Sequence, residues 1–266
     1  MTLSKTRLLP LAGAALLLLA GCSSPAPSTA SAGSPSPSPS PSSYAEGEDW
    51  STRYPLCADR PDSVESPIDI RRDALVVDPS ATMDVSYKPT VFAVENNGHT
   101  IEAVPEDLTA NSVTVGGVSY DLQQFHFHAS SEHLVDGAGF DAELHLVHKS
   151  KDGKTLVLGV FLNAGASNQE LAELFSRIPV EVSETPTTTL STPIDLAHVI
   201  PTGTPRVQYT GSLTTPPCTE GVQWEIFLNP VTVSAKELSA FTAVYPENHR
   251  PVQPLHGRQL TEDPNG

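Results

Sequence analysis

The sequence Gln-Phe-His-Phe-His, which begins at residue 124, alternates strictly between polar and aromatic side chains. In an extended strand, successive side chains point to opposite faces, so Gln124, His126 and His128 share one face and the two phenylalanines share the other. Two neighbouring imidazoles in an apolar strand are costly to bury unless a partner uses their nitrogen atoms. The segment therefore predicts a strand that packs its aromatic face into a core and presents two histidines to a site.

A second segment repeats this pattern between Glu143 and Val147. Glu143, His145 and Val147 share one face of a strand, and two leucines lie on the other. If the two strands are neighbours, the imidazoles of His126, His128 and His145 converge on one point. This combination favours a site that uses the ring nitrogens over ordinary buried or surface histidines.

The chemistry of such a cluster points to a metal ion. Three neutral histidine nitrogens suit Zn²⁺ and leave a fourth tetrahedral position open to water. A histidine that binds a metal needs its other N–H held by an acceptor. Gln124 and Glu143, each two residues before a candidate ligand, are placed to hold His126 and His145.

Short apolar or alternating runs predict that most of the remaining structure is β-strand. The run at 156–162 is continuously apolar and predicts a central strand that is buried on both faces. Asn-Gly at residue 97 and Asp-Gly at residue 152 are turn signals between strands. The predicted strands lie at residues 83–87, 91–94, 113–115, 122–128, 144–147, 156–162 and 222–228.

Helical patterns are few. One helix is predicted at 168–178 with Asn168 as its N-cap, and a second at 234–244, where Ser234 and Glu237 match a capping box. The sequence therefore predicts a mixed α+β fold dominated by β-structure, in one domain built on a large sheet.

The N-terminal residues have a pattern that is typical of a targeting segment. Lys5 and Arg7 precede an almost wholly apolar stretch at 8–20, which is too short for the roughly 20 residues of a membrane span. The stretch ends in small residues before Cys22, which resembles a bacterial lipobox. We expect residues 1–21 to be a lipoprotein signal peptide and Cys22 to be lipidated; the alternative is an ordinary signal peptide cleaved near Ala20.

Residues 22–43 follow as a lipidated cysteine and a Ser/Pro-rich tether. Residues 23–43 contain only Ser, Pro, Ala, Thr and Gly, so they cannot form a core and favour extended, disordered chain. We expect them to hold an exported domain, residues 44–266, off the outer face of the cell membrane. A disordered spacer of no selected length is the alternative.

Charge excludes some partners. Acidic residues outnumber basic ones 31 to 15, for a net charge of −16. Nucleic acid and direct electrostatic docking on anionic lipid both need clustered positive charge, so neither is an expected partner.

The chain has three cysteines, Cys22, Cys57 and Cys218. Exported proteins usually pair their cysteines. With Cys22 assigned to the lipid, Cys57 and Cys218 remain as one predicted disulfide. A metal role for these two is disfavoured, because neither has a Cys-x-x-Cys neighbour.

Seven motifs occur together in the order and at the spacing of one enzyme family. On these motifs, the chain from about residue 50 to its C-terminus resembles the α-class carbonic anhydrases. The resemblance implies a large central, mostly antiparallel twisted sheet with a few short peripheral helices. It also implies zinc-dependent, reversible hydration of CO₂ to bicarbonate and a proton. The motifs are SPIDI at 66–70, NNGH at 96–99, QFHFH at 124–128, SEH at 131–133, AELHLVH at 142–148, GSLTTPP at 211–217 and RPVQP at 250–254.

The resemblance assigns roles around the metal. His126, His128 and His145 bind zinc, Gln124 and Glu143 orient two of them, and a backbone carbonyl near Asn248 holds His128. These assignments agree with the pattern of the two strands.

The resemblance also assigns the groups that act on the substrate. The Thr214 hydroxyl donates to Glu132 and accepts from a zinc-bound hydroxide, which attacks CO₂. His99 carries the released proton to solvent. The substrate contacts implied are Val147, Val157, Leu213, Thr214, Thr215 and Trp224. The Cys57–Cys218 pair also matches a disulfide of exported bacterial members.

The sequence departs from the family at several positions. Ala129 stands where tryptophan is usual, Glu65 where glutamine is usual, and Tyr44 lies closer to Trp50 than the family tyrosine does. Glu102 replaces a neutral polar residue, and we expect its carboxylate to raise the pKa of His99 or to reorganise the water chain beside it. None of these changes removes a predicted zinc ligand.

Two other functions are compatible with the pattern. The first is a non-catalytic binding module on the same fold, which is disfavoured because all three histidines are present. The second is a zinc esterase or phosphatase, which is disfavoured because no polar anchor for a large substrate is visible. His133 and His148 are predicted to be structural, since neither fits the ligand pattern.

Overall fold

Within residues 50–266, the dominant sheet has twelve strands and carries the predicted site on its central strands. The structure is a computed structural model that describes residues 50–266. The predicted signal peptide at 1–21, the lipidated Cys22, the tether at 22–43 and Tyr44 lie outside the described residues. The strands are β1 Asp69–Ile70, β2 Val76–Val77, β3 Met83–Ser86, β4 Phe92–Asn96, β5 Ile101–Pro105, β6 Ser112–Val115, β7 Val118–His128, β8 Leu134–Val135, β9 Ala142–Ser150, β10 Thr155–Ala164, β11 Thr188–Thr189, β12 Arg206–Ser212, β13 Glu220–Val233 and β14 Thr261–Asp263.

The order of the large sheet is β11-β4-β5-β7-β9-β10-β13-β12-β14-β2, and β6 joins β3 to β7 beside this path. Most neighbours are antiparallel, while β10 pairs with β13 and β14 pairs with β2 in parallel. β1 and β8 form a separate two-stranded parallel sheet. The structure therefore confirms the predicted β-dominated fold with a large, mostly antiparallel sheet.

Strand β10 lies between β9 and β13 and is buried along its whole apolar run. Leu156, Leu158 and Val160 enter one apolar cluster, and Val157 and Phe161 enter a second. This division follows the alternation of side chains along a strand. It confirms that the continuous apolar run marks a central strand with both faces covered.

The second predicted helix is confirmed and the first is shorter than predicted. The helix α2 spans Ala235–Thr242, and Ser234 and Glu237 form the predicted capping box. The helix α1 spans only Ala172–Ser176. The Asn168 side chain accepts from the backbone N–H of Glu170 at 3.1 Å, so it stabilises a turn, and the helix begins four residues later. Short 3₁₀ turns lie at Trp50–Thr52, Pro55–Cys57, Arg72–Ala74 and Leu196–His198.

The predicted disulfide between Cys57 and Cys218 is present and joins residues 161 positions apart. It links the segment before β1 to the loop between β12 and β13, so it closes most of the domain into one covalent loop. No helix within residues 50–266 is long and apolar enough to cross a membrane.

Candidate active site

Three imidazoles meet where β7 and β9 pair. The strands are antiparallel, with His126 directly opposite His145 and His128 opposite Glu143. One nitrogen from each of His126, His128 and His145 lies within 4.8 Å of the others. The two alternating segments are therefore neighbours, and the predicted convergence of three imidazoles is found.

Each of these rings is held from behind by an acceptor. The Nδ1 of His126 lies 2.8 Å from Oε1 of Gln124, and the Nε2 of His145 lies 2.9 Å from Oε1 of Glu143. The Nδ1 of His128 lies 2.9 Å from the backbone oxygen of Asn248. Because oxygen accepts in every case, these nitrogens carry the protons and the opposite nitrogen of each ring keeps its lone pair.

The donor set fits a zinc ion. The Nε2 of His128 is buried and has no hydrogen-bond partner among residues 50–266. Burial lowers the pKa of His128 to about 4, so its ring is neutral near pH 7. Burial also lowers the pKa values of His126 and His145. Three neutral imidazole nitrogens that converge in one small volume match the protein ligands of a catalytic zinc site.

Glu143 ties this cluster to the protein interior. Its Oε2 accepts from the backbone N–H groups of Glu132 and His133 at 2.9 and 2.8 Å. Its Oε1 also accepts from Nδ1 of His133 at 2.7 Å. Burial raises the pKa of Glu143, but His133 and His145 outweigh burial and hold the pKa well below its usual range.

His133 and His148 are structural, as predicted. The remaining nitrogen of His133, Nε2, lies 2.6 Å from the Tyr209 hydroxyl, so both of its ring nitrogens are occupied. Although His133, Glu143 and His145 are close enough to form a second metal group, this occupancy disfavours it. His148 is buried between the Tyr87 hydroxyl and the Leu146 carbonyl, at 2.8 and 2.9 Å.

Glu132 lies beside the cluster and is held by the C-terminal segment. Its Oε1 accepts from the backbone N–H of Arg250 at 2.8 Å. Burial raises the pKa of Glu132, and His145, Arg250 and the Thr214 side chain act in the opposite direction. Oε2 of Glu132 has no partner at full hydrogen-bond geometry among residues 50–266. The Thr214 hydroxyl is therefore close to this carboxylate without an ideal hydrogen bond to it.

A cavity of about 590 Å³ opens beside the histidines. His126 and His145 form part of its wall, and Thr214 lies at its edge with 4% of its surface exposed. Trp224 is fixed by a hydrogen bond from its Nε1 to the Ser212 carbonyl at 3.0 Å. Every substrate contact implied by the sequence lines this cavity, namely Val147, Val157, Leu213, Thr214, Thr215 and Trp224.

His99 lies in the turn between β4 and β5. Its backbone N–H donates to Oδ1 of Asn97 at 3.0 Å, and its carbonyl accepts from the Asn248 side chain at 2.9 Å. The side chain is half-buried, and burial lowers the pKa of His99. The expectation that Glu102 raises this pKa is wrong, because burial is the only cause of the shift and it lowers the pKa. The other expectation, a reorganised water chain beside His99, stays a prediction.

The pKa of Glu102 is also shifted from its usual value. It lies opposite His126 in the pairing of β5 with β7 and opposite Glu95 in the pairing of β4 with β5. Burial, followed by the charge of Glu95, raises the pKa of Glu102 to about 7. The Asn97 amide donates to its Oε2 at 3.2 Å. This carboxyl is therefore partly protonated at neutral pH, which reduces the negative charge near His99.

Comparison with known proteins decides the family. The family model described as eukaryotic-type carbonic anhydrase matches residues 45–264. The chain belongs to the α-class carbonic anhydrase family. A carbonic anhydrase from Klebsiella pneumoniae is 40% identical over 199 residues, which cover 74% of this chain and 79% of that protein. A carbonic anhydrase from Neisseria gonorrhoeae is 41% identical over 180 residues, which cover 67% and 69%.

The fold gives the same result. The α-carbonic anhydrase from Thermovibrio ammonificans, solved with the inhibitor sulfanilamide, superposes with a TM-score of 0.73 at 39% identity. The match covers 80% of this chain and 93% of that chain. Membership of the carbonic anhydrase family makes the protein an enzyme of CO₂ hydration.

The sequence did not predict two features of this carbonic anhydrase. Lys149 and Lys154 line the cavity. Lys149 continues the alternation of His145 and Val147, so the period-two pattern contained the signal for its position. The contact of Arg250 with Glu132 had no such signal, because it joins residues 118 positions apart through a backbone N–H.

Proposed function

We propose that this carbonic anhydrase is a zinc enzyme that interconverts CO₂ and bicarbonate at the His126–His128–His145 cluster. The observation that carries the proposal is the buried, unpartnered Nε2 of His128, which shares one small volume with a nitrogen of each of the other two rings. A buried imidazole acceptor without a partner is costly in an apo protein and is satisfied by a metal ion.

The nitrogens that would hold zinc are Nε2 of His126, Nε2 of His128 and Nδ1 of His145, because the other nitrogen of each ring bonds to the protein. When bound, zinc supplies Lewis-acid activation of water near neutral pH, a chemistry of which carbonic anhydrase is itself the standard example. Gln124, Glu143 and the Asn248 carbonyl fix the orientation and tautomer of the three rings.

Glu132 and Thr214 orient the reacting water. Glu132 is fixed as an acceptor by the Arg250 N–H. When the Thr214 hydroxyl donates to Glu132, its oxygen is left to accept a hydrogen bond from the water. The water is thereby turned so that a lone pair faces the substrate, a contribution of orientation rather than of acidity.

The cavity wall suits CO₂, which has no charge and forms only weak hydrogen bonds. Val147, Val157, Leu213 and Trp224 provide an apolar surface beside the histidines. Thr214 and Thr215 add polar groups to this wall, which an oxygen of substrate or product is proposed to contact. Polar side chains, among them Lys149 and Lys154, line other parts of the cavity, so the preference for CO₂ over a large ester is decided by the substrate comparison below.

His99 is the proposed proton carrier. An imidazole titrates closer to neutrality than other side chains. His99 is half-buried and both of its ring nitrogens lie below the surface, so the proposed role requires the ring to turn towards solvent when it releases the proton. A His99→Ala variant is expected to lose about tenfold or more in kcat, with little change in kcat/KM for CO₂. Added imidazole buffer is expected to restore the rate, whereas unrescued loss contradicts the role.

The central test uses the purified protein. One zinc ion per chain is expected by metal analysis, and a stopped-flow trace with a pH indicator is expected to show CO₂ hydration well above the buffer rate. His126→Ala is expected to abolish both zinc retention and hydration, while His198→Ala, at an imidazole that is 71% exposed, leaves both unchanged. A zinc-loaded protein that hydrates CO₂ no faster than buffer overturns the proposal.

The esterase alternative is separated by substrate preference. Rates for CO₂ and for an activated ester are compared on the same preparation, with a sulfonamide as competitor. A much larger kcat/KM for CO₂, inhibited in parallel with any ester hydrolysis, supports the carbonic anhydrase reaction. The reverse preference supports a zinc esterase.

We also propose that the enzyme is exported and anchored by lipid at Cys22 to the outer face of the cell membrane. The support is the short apolar segment after Lys5 and Arg7, the small residues before Cys22 and the Ser/Pro-rich stretch that follows. Labelled fatty acid is expected to enter the wild-type protein and not a Cys22→Ala variant. Failure of the wild type to take up label supports the ordinary signal peptide instead.

A further inference from the structure

Glu65 is a buried carboxylate with incomplete hydrogen bonding. Its residue is 1% exposed, and Oε1 has no hydrogen-bond partner among residues 50–266. Both recorded contacts fall on Oε2, from Nη1 of Arg250 at 2.7 Å and from the Ser212 hydroxyl at 3.3 Å. A buried carboxylate oxygen without a partner is destabilising in itself, so the position of Glu65 calls for a reason.

Glu65 is connected to Glu132 through Arg250. The Arg250 guanidinium contacts Glu65 and also donates to the carbonyls of Ser66 and Cys57, at 2.6 and 3.2 Å. The backbone N–H of the same residue holds Oε1 of Glu132 at 2.8 Å. Glu65 provides the only ion pair of Arg250 in the described part of the chain. Glu65 therefore helps to position Arg250, whose backbone N–H holds Glu132.

Glu65 is connected to the segment of Thr214 through Ser212. Ser212, which ends β12, exchanges two hydrogen bonds with Ser66, from Ser66 N to Ser212 Oγ at 3.0 Å and from Ser212 N to Ser66 Oγ at 3.1 Å. Its single hydroxyl proton is shared between Oε2 of Glu65 at 3.3 Å and the Leu213 carbonyl at 2.8 Å. Thr214 follows two residues later, so its backbone starts from a residue held by Glu65 and Ser66.

We propose that Glu65 is a positioning residue that sets Glu132 and Thr214 relative to each other. Glu132 and Thr214 belong to different segments. One oxygen of Glu65 contacts both Arg250, whose backbone N–H holds Glu132, and Ser212, which lies two residues before Thr214. The charge contributes, because a charge-assisted bond to a guanidinium is stronger and more directional than a neutral one. This inference rests on the roles proposed above for Glu132 and Thr214.

The variants are Glu65→Leu, which removes both contacts, and Glu65→Gln, which keeps the shape and removes the charge. Glu225 offers matched controls, Glu225→Leu and Glu225→Gln. It is also a fully buried carboxylate on an arginine, with Oε2 3.0 Å from Nε of Arg206, and it contacts neither Glu132 nor Thr214. A loss of stability that comes only from removing a buried ion pair is therefore expected in both sets of variants, so it does not distinguish them.

The first measurement is amide hydrogen exchange in the metal-free protein, which needs no catalysis. The Arg250 N–H bonds to Glu132, whereas the Asn248 N–H bonds to the Ala129 carbonyl at 2.9 Å two residues earlier. In Glu65→Leu the Arg250 amide is expected to exchange about tenfold faster relative to Asn248, and in Glu65→Gln about threefold faster. In the Glu225 variants the two amides are expected to change together.

The second measurement is kinetic, on zinc-loaded protein with active sites counted by sulfonamide titration. Glu65→Leu is expected to lower kcat about tenfold and Glu65→Gln by a smaller factor, because misplaced orienting groups slow the reaction. The midpoint of the pH profile is expected to shift in both. The Glu225 variants are expected to keep the wild-type kcat and pH profile per active site.

The outcomes separate the two proposals. If the Glu65 variants lose stability like the Glu225 variants but keep the relative exchange of Arg250, kcat and the pH profile, Glu65 is only structural and the inference is wrong. If Glu65→Leu does not fold, Glu65→Gln decides alone, and wild-type behaviour in both measurements overturns the inference. If Arg250 exchange changes but the wild-type enzyme does not hydrate CO₂, the positioning stands and the proposed function fails.

Discussion

The Nδ1 of His133 lies 2.7 Å from Oε1 of Glu143, the same oxygen that Nε2 of His145 reaches at 2.9 Å. One carboxylate oxygen therefore serves both a structural histidine and a predicted zinc ligand. From His133 the contacts continue through the Tyr209 hydroxyl to the Ser66 hydroxyl, at 2.6 and 2.7 Å. The orientation of His145 depends on this chain of buried side chains.

Replacing His133 is expected to weaken both the fold and the metal site. In His133→Leu, Glu143 and Tyr209 lose a buried partner, and a loss of about 2–4 kcal/mol in the free energy of unfolding is expected. Zinc affinity is expected to fall about tenfold or more, since partners of metal ligands tune binding. Urea denaturation and competition with a chelator measure the two effects. His198→Leu, at an exposed imidazole, is the control, and equal zinc affinity in both variants contradicts the prediction.

His148 is expected to make stability depend on pH. Burial lowers its pKa to about 3 in the folded protein, whereas an unfolded histidine titrates near 6.5. Below about pH 6.5 the unfolded chain takes up a proton that the folded protein refuses, so stability from this residue is complete above pH 6.5 and declines as the pH falls towards 3. The slope is about 1.4 kcal/mol per pH unit.

A His148→Gln variant is expected to show a flatter decline in unfolding free energy between pH 6 and pH 4 than the wild type. Urea denaturation at a series of pH values measures it, with His198→Gln as the control for the loss of an exposed imidazole. An unchanged slope in His148→Gln shows that another group dominates the acid sensitivity.

Thr214→Val is expected to lower kcat/KM for CO₂ about a hundredfold. The variant keeps the size of the side chain and removes the hydroxyl that orients the reacting water. Zinc content and melting temperature are expected to stay the same. Thr155→Val, at another threonine that lines the cavity, is the control and is expected to keep its activity. Equal rates in the two variants argue against the orienting role.

Removing the Cys57–Cys218 disulfide is expected to cost about 2–5 kcal/mol in unfolding free energy, because the bond closes a long loop in the unfolded chain. A double Cys57→Ser, Cys218→Ser variant is compared with the wild type by urea denaturation, with and without reductant. With reductant, the unfolding free energy of the wild type is expected to fall towards that of the variant. The unfolding free energy of the variant is expected to be the same with and without reductant. A wild type that keeps its full stability in reductant, with the bond shown to be open, is the contrary result.

The centre of the site could be predicted from the sequence because two independent regularities agree there. The period of two places His126, His128 and His145 on definite faces, and imidazole chemistry limits what such a cluster binds. Gln124 and Glu143, which hold the rings of His126 and His145, were predicted from the same period of two. These residues lie within one antiparallel pair, so local pattern determines their geometry.

The remaining contacts could not be predicted because they join distant, irregular segments. Asn248 and Arg250 lie in a stretch without helix or strand. The family resemblance implied the contact of the Asn248 carbonyl with His128, which the structure contains, but nothing in the sequence indicated that the Arg250 N–H holds Glu132. Strand β12 was missed for a different reason. It begins with Arg206, which looks like a surface residue but is buried between Glu225 and Asp263 at 3.0 Å from each.

The dependence of the site on Asn248 and Arg250 has a consequence for how the chain matures. These two residues are synthesised after all three clustered histidines. A nascent or truncated chain that stops before residue 248 contains the whole histidine cluster and lacks the groups that aim His128 and secure Glu132. The proposed zinc site is thus fully oriented only when the segment that contains Asn248 and Arg250 has packed beside it.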